Sequence, residues 1–299
     1  MNRASPPRYT VLEAPTTLGL LSSGVERLPE VLLGEGLITR LGASHAGRVS
    51  PPGRSGRRDP NTSVLNGIEI PPYTYTLAER VEALLAAGEF PVVLGGDCSI
   101  VLGSALALRR RGRYGLLFID GQADFFQPEA EPNGEAASMD LALVTGHGPP
   151  ALTQYDGSSP LVQPADAVAF AFRDAEDQAE FGSQPLPGEL RAFDLPTIRR
   201  IGIGAATTAA IQHVARPELD GFWIHVDADC LDDAIMPAVD FRLPGGLSAD
   251  ELRLVLRRAM ASGRAVGLEV TIYNPALDSE GRAGKMLADL LVSALTIEA

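Results

Sequence analysis

At 299 residues, with 45% hydrophobic and 21% charged residues, the chain can build one large α/β domain or two small ones, and it is not composed like a disordered polymer. A formal charge of -13 leaves no basic surface to displace counterions from phosphates, so nucleic acid is not an expected partner. No apolar run reaches the length that spans a bilayer, so a membrane is not expected either.

The N-terminus, Met1 to Pro7, lacks the apolar core of a secretory signal. Two cysteines, Cys98 and Cys230, are too few for a disulfide framework and point to a reducing cytoplasm. No internal repeat and no shift in composition divides the chain, so one domain over residues 1–299 is expected.

In chain order, Tyr9–Leu12 is the first short apolar run and reads as a strand. Ser44–Asn66 follows, crowded with Pro51, Pro52, Gly53, Gly56 and arginines, and reads as a surface loop rather than a partner contact. Thr76–Ala87 has helical periodicity, Phe90–Leu94 is a strand, Ser99–Arg110 a helix and Gly115–Ile119 a strand. Ala167–Phe172, Leu190–Phe193 and Gly221–Val226 are further strands. Ser248–Ser262 reads as helix, Ala265–Thr271 as strand and Arg282–Leu295 as helix. The strands are continuous apolar runs without alternation, as in parallel strands buried on both faces. Their interleaving with helices predicts right-handed crossovers and a doubly wound, mostly parallel sheet in a three-layer α/β/α fold.

In such sheets ligands bind beyond the carboxyl ends of the strands. Three strands end in the same chemistry. Phe90–Leu94 runs into Gly95-Gly96-Asp97-Cys98-Ser99, Gly115–Ile119 into Asp120-Gly121-Gln122-Ala123-Asp124, and Gly221–Val226 into Asp227-Ala228-Asp229. Parallel strands place these ends on one rim, so Asp120, Asp124, Asp227 and Asp229 converge. Four carboxylates cannot all stay ionised in a half-buried cleft without a cation. A single Asp at a strand end is more often a turn or cap residue. Two DxD-like motifs and a GGDCS at successive strand ends favour a hard divalent ion, manganese or magnesium, while a thiolate would favour softer ions.

In order and spacing these segments resemble the arginase/agmatinase (ureohydrolase) family, from about Leu12 to the end of the chain. Gly95-Gly96-Asp97-Cys98-Ser99 is similar to the family's GGDHS, Asp120-Gly121-Gln122-Ala123-Asp124 to DAHxD, and His225-Val226-Asp227-Ala228-Asp229 to SFDxD. Pro244-Gly245-Gly246-Leu247-Ser248 is similar to PGGL[ST], and Thr271-Ile272-Tyr273-Asn274-Pro275 to the segment carrying EVNP. The resemblance implies an arginase-like fold, a homo-oligomer, a small-molecule substrate, and one or two manganese ions that activate water against a guanidinium carbon. It makes Asp120 and Asp227 bridging ligands, Asp124 a ligand of the first ion and Asp229 of the second.

The sequence departs from the family at telling positions. The two ligand histidines are replaced by Cys98 and Gln122. Ile272 stands where the family has a carboxylate that anchors the guanidinium. Ala137 falls where its acid–base histidine lies, and Phe126 where an asparagine reads the amino-acid end of arginine. Cys98 is either a thiolate ligand, its pKa lowered by a helix N-terminus and an adjacent cation, or a small buried thiol in a vacated slot. Gln122 offers only a neutral amide oxygen, which weakens the second metal position, and Cys230 is expected to pack away from the site. His225 either orients a ligand or is a core histidine. Glu135 and Asp140 flank the segment that has lost its histidine and are candidates to replace the missing groups, against cap and surface roles.

The resulting expectation is a metal-dependent hydrolase of linear amidine or guanidine-type C–N bonds, with arginine a poor substrate. The alternatives are a catalytically inactive, arginase-like binding or regulatory subunit, and a one-metal relative built around Cys98.

Overall fold

The computed structural model describes residues 7–21 and 24–296; the first six residues of the N-terminal stretch read for a leader lie outside them. Among the described residues eight strands form one sheet: β1 (Tyr9–Ala14), β2 (Ser44–Arg48), β3 (Phe90–Gly95), β4 (Gly115–Ile119), β5 (Ala167–Phe170), β6 (Arg191–Phe193), β7 (Phe222–Asp227) and β8 (Ala265–Thr271). Their order is β2-β1-β3-β8-β7-β4-β5-β6, and every pairing is parallel. Parallel neighbours need crossovers, and the helices that supply them cover both faces. The three-layer, doubly wound fold expected from the sequence is the one observed.

Alternation along the strands divides the core in two. Val92, Leu117, Ile119, Ile224 and Val226 pack with helices 28–34, 203–214, 249–261 and 282–295. Val93, Leu116, Phe118 and Trp223 pack with helices 70–86, 101–109 and 140–144. No helix among the described residues is long and apolar enough to cross a membrane.

Three boundaries depart from the sequence reading, each for a local reason. The stretch taken as a loop from Ser44 holds β2, whose residues are largely exposed. Its polar sequence carries no apolar signal; backbone pairing with β1 holds it, together with Glu13, which receives Arg48 Nε at 3.0 Å and lies 3.0 Å from His45 Nε2. The helix expected at Thr76 begins at Ile70, because prolines are tolerated in a first turn that has no N–H partner to lose. The strand expected to reach Phe172 stops at Phe170, where Ala171 turns to φ 82°. By contrast, helix Ala249–Ala261 starts where its capping box predicts, with Ser248 and Glu251 bonding each other's backbone.

Candidate metal centre

The ends of β3, β8, β7 and β4, the middle of the sheet, meet at one cleft. β3 leaves the sheet through Gly96, where a Cβ would lie 1.9 Å from the Thr16 carbonyl oxygen. That contact lets Asp97 N–H bond to Thr16 O at 3.0 Å and turns the chain into the 3-10 turn Cys98–Ile100. Gly96→Ala is therefore expected to cost about 3 kcal/mol or more, read as a shift in the chemical-denaturation midpoint. An unchanged midpoint would show that the loop can move aside.

Asp97 accepts from Ser99 N at 2.9 Å and caps the turn, leaving Cys98 to face the cleft. After β4, Asp120 Oδ1 accepts from Gln122 N at 2.7 Å, and Asp124 takes φ 45°, bringing its carboxylate back toward Asp120. After β7, Asp227 Oδ1 accepts from Asp229 N at 2.8 Å. The Cys98 thiol lies 2.7 Å from Asp227 Oδ2 and 3.1 Å from Thr271 Oγ1.

Two groups of ligand atoms result, each with all members within 4.8 Å of one another. One is Cys98, Asp120, His225 and Asp227; the other is Cys98, Asp124 and Asp140. All of these residues are buried. Burial, above all, pushes Asp120, Asp124, Asp140 and Asp229 well above the usual carboxylate range, and neighbouring carboxylates add to the shift. Asp227 is also raised by burial. Asp120 Oδ2, Asp140 Oδ2 and His225 Nε2 are buried with no hydrogen-bond partner. Acceptors left unpaired in this way cost free energy that a cation would recover, so the donor set fits a divalent ion.

Cys98 lies at the centre of the cluster. Burial, followed by Asp227, Asp140, Asp120 and Asp124, pushes its thiol well above its ordinary value. It lies inside a 3-10 turn and is 1% exposed, and a bound cation would act on it in the opposite direction. Cys230 packs in the core, as expected.

The other sequence candidates divide. Asp140 joins the cluster against Asp124. Glu135 stands apart: its oxygens accept from Leu21 N at 2.6 Å and Asn133 Nδ2 at 3.2 Å. Gln122, with the amide oriented to suit its neighbours, donates to both oxygens of Asp229 at 2.6 and 3.2 Å. Phe126, Ala137 and Ile272 line a cavity of about 490 Å³ that opens onto Cys98, Asp124, Asp227 and Asp229. Ile272 holds φ 69°, a conformation rare for a β-branched residue.

The sequence reading missed Arg173. Its Nη2 donates to the carbonyls of Asp229 at 3.0 Å and Leu243 at 2.9 Å, against the second end of the cluster. An Arg-Asp pair just past the end of β5 was the available signal, by the same strand-end rule that found the aspartates.

The arginase family model matches residues 24–297. The chain belongs to the arginase family. Family members hydrolyse C–N bonds, and the described residues of this chain share their fold. It is 27% identical over 290 residues to an arginase of Staphylococcus aureus, covering 94% of each chain. The arginase of Bacillus caldovelox superposes with a TM-score of 0.86 at 24% identity, over 98% of this chain and 99% of that one. The formimidoylglutamase of Bacillus subtilis superposes at 0.73 and 17% identity, over 98% and 88%.

Proposed function

We propose that the protein is a metal-dependent hydrolase of linear amidine or guanidine-type C–N bonds in a small molecule, and that arginine is a poor substrate. The observation that supports this most is the convergence of buried carboxylates with unpaired oxygens, in an arginase-family fold, at the floor of an open cavity. Cys98, Asp120, Asp124, Asp227, His225 and Asp229 are the residues that would hold the ion or ions, manganese being the family expectation. A bound divalent ion would supply Lewis acidity and a water of lowered pKa.

The chain's own residues define the rest. Asp124 lines the cavity and lies against Asp140, which is fully buried. Asp140 meets the Asp124 side chain from behind and would fix the orientation of that carboxylate at the cavity. Phe126, Ala137 and Ile272 make an apolar wall where a guanidinium and its amino-acid tail would need polar partners. A buried cation left unpaired against Ile272 costs several kcal/mol.

The test is a panel of amidines and guanidines, assayed for ammonia or urea release with the metal-replete protein. Hydrolysis of at least one member is expected, with arginine slower by roughly 100-fold or more in kcat/KM. Arginine as the best substrate would overturn the specificity reading. No turnover of any member by a metal-loaded protein would favour the inactive binding scaffold.

A further inference from the structure

We infer that the centre takes one borderline-soft ion, of the zinc or cobalt kind, on Cys98, Asp120, Asp227 and the imidazole of His225, with the Asp229 carboxylate taken up by the protein's own Gln122 amide and closed to a second ion. This rests on the reading that the chain binds a divalent ion, and adds which ion, how many and on which residues.

His225 is built as a ligand. Alternation along β7 puts it on the same side as Asp227, one step deeper in the sheet. Its register partners are Glu269 on β8 and Phe118 on β4. Glu269 Oε1 holds Nδ1 at 2.8 Å, and Glu269 is itself fixed by Ser104 Oγ at 2.6 Å from the overlying helix. Phe118 stacks on the ring at 4.5 Å with planes 5° apart. The imidazole is therefore held in one orientation, with Nδ1–H donating to Glu269 and Nε2 left over as the atom that can take a ligand. Nε2 is fully buried without a partner. A carboxylate behind one ring nitrogen and a metal on the other is the usual arrangement of a ligating histidine. The site has lost an imidazole at position 98 and holds this one beside the replacement thiol.

The donor chemistry follows. One thiol, one imidazole and two carboxylates suit zinc or cobalt better than manganese, which prefers oxygen. Four such donors within 4.8 Å of one another fit a compact, low-coordinate ion.

The other end is closed to a second ion. Asp229 is occupied by Gly121 N at 3.0 Å and by the Gln122 amide. Gly121 stands where the family motif has alanine; a Cβ there would lie 2.6 Å from Arg173 Nη1 and 2.8 Å from Asp229 Oδ1. The Arg173 guanidinium lies on that side and donates to the Asp229 backbone carbonyl at 3.0 Å. Gln122, unlike the imidazole it stands in for, donates to Asp229 and so competes with an ion for that carboxylate.

The probe is Co²⁺, titrated into chelator-stripped protein and followed by absorbance and isothermal calorimetry. Saturation at one equivalent per chain is expected, with a thiolate-to-cobalt charge-transfer band that Cys98→Ser removes. His225→Gln should weaken Co²⁺ binding at least ~tenfold, and Glu269→Gln, which leaves the imidazole in place but alters its support, should weaken it ~10- to 100-fold. Melting of the stripped variants checks folding, so a misfolded His225→Gln leaves Glu269→Gln as the deciding variant. Two tight equivalents, no charge-transfer band, or unchanged affinity in Glu269→Gln would overturn the inference while leaving a metal-dependent enzyme intact. No Co²⁺, Zn²⁺ or Mn²⁺ binding at all would remove both this inference and the reading beneath it.

Discussion

Stripping the protein with a chelator at about pH 8 is expected to lower its melting temperature by on the order of 10 °C, while the same treatment at about pH 5 lowers it little. Without an ion, Asp120, Asp124, Asp140 and Asp229 have folded-state pKa values well above their ordinary value of 3.8. A raised acid pKa means that the metal-free folded state holds more protons than the unfolded chain. That stability is fully present below 3.8 and is lost as pH rises through the raised folded values. At the acid end the buried carboxyls are neutral and tolerate one another. Toward neutral pH, ionising each costs several kcal/mol. A divalent ion reverses this order by favouring the ionised forms, so the gap between loaded and stripped protein widens with pH. Melting curves at both pH values, with and without chelator, read the effect directly. Equal gaps at both would show that the cluster does not hold the ion.

Asp120→Asn should give two opposite effects. Metal affinity and turnover should fall by on the order of 100-fold or more, because a carboxylate ligand becomes a neutral amide. The stripped variant should nevertheless melt above stripped wild type near neutral pH. The amide oxygen introduced there can still accept from the Gln122 N–H that Asp120 now binds at 2.7 Å. The amide nitrogen takes the place of Asp120 Oδ2, which has no partner, and can donate to Asp124, the neighbour whose side chain already meets it. One buried like charge is thereby removed. A variant both weaker in metal binding and less stable when stripped would mean that Asp120 is chiefly structural.

Much of this was legible in the chain. The central strands announce themselves as apolar runs, and residues placed at their carboxyl ends must meet if the strands are parallel; that alone brought Asp120, Asp124 and Asp227 together. The exposed β2 was not legible, because its polar residues are held by Glu13 and by pairing with β1. Nor was the partner of His225. Sequence order does not say that β8 lies between β3 and β7, so nothing in Gly267-Leu268-Glu269-Val270 could show that Glu269 stands behind the imidazole. Arg173 escaped for a similar reason: its guanidinium bridges loops after β5 and β7 that lie far apart in the chain. Asp140 and Glu135 looked alike in sequence. They differ because Glu135 is drawn to the Leu21 backbone, whereas Asp140 is turned toward Asp124.

Anomalous scattering from a crystal of protein purified without chelator, measured on either side of the manganese, cobalt and zinc edges, is the most direct test. An ion among Cys98, Asp120, Asp227 and His225 is the expected result, and its edge identifies the element. The opposite result is a map with no peak there, in which the carboxylates and the Cys98 thiol hydrogen-bond only to one another.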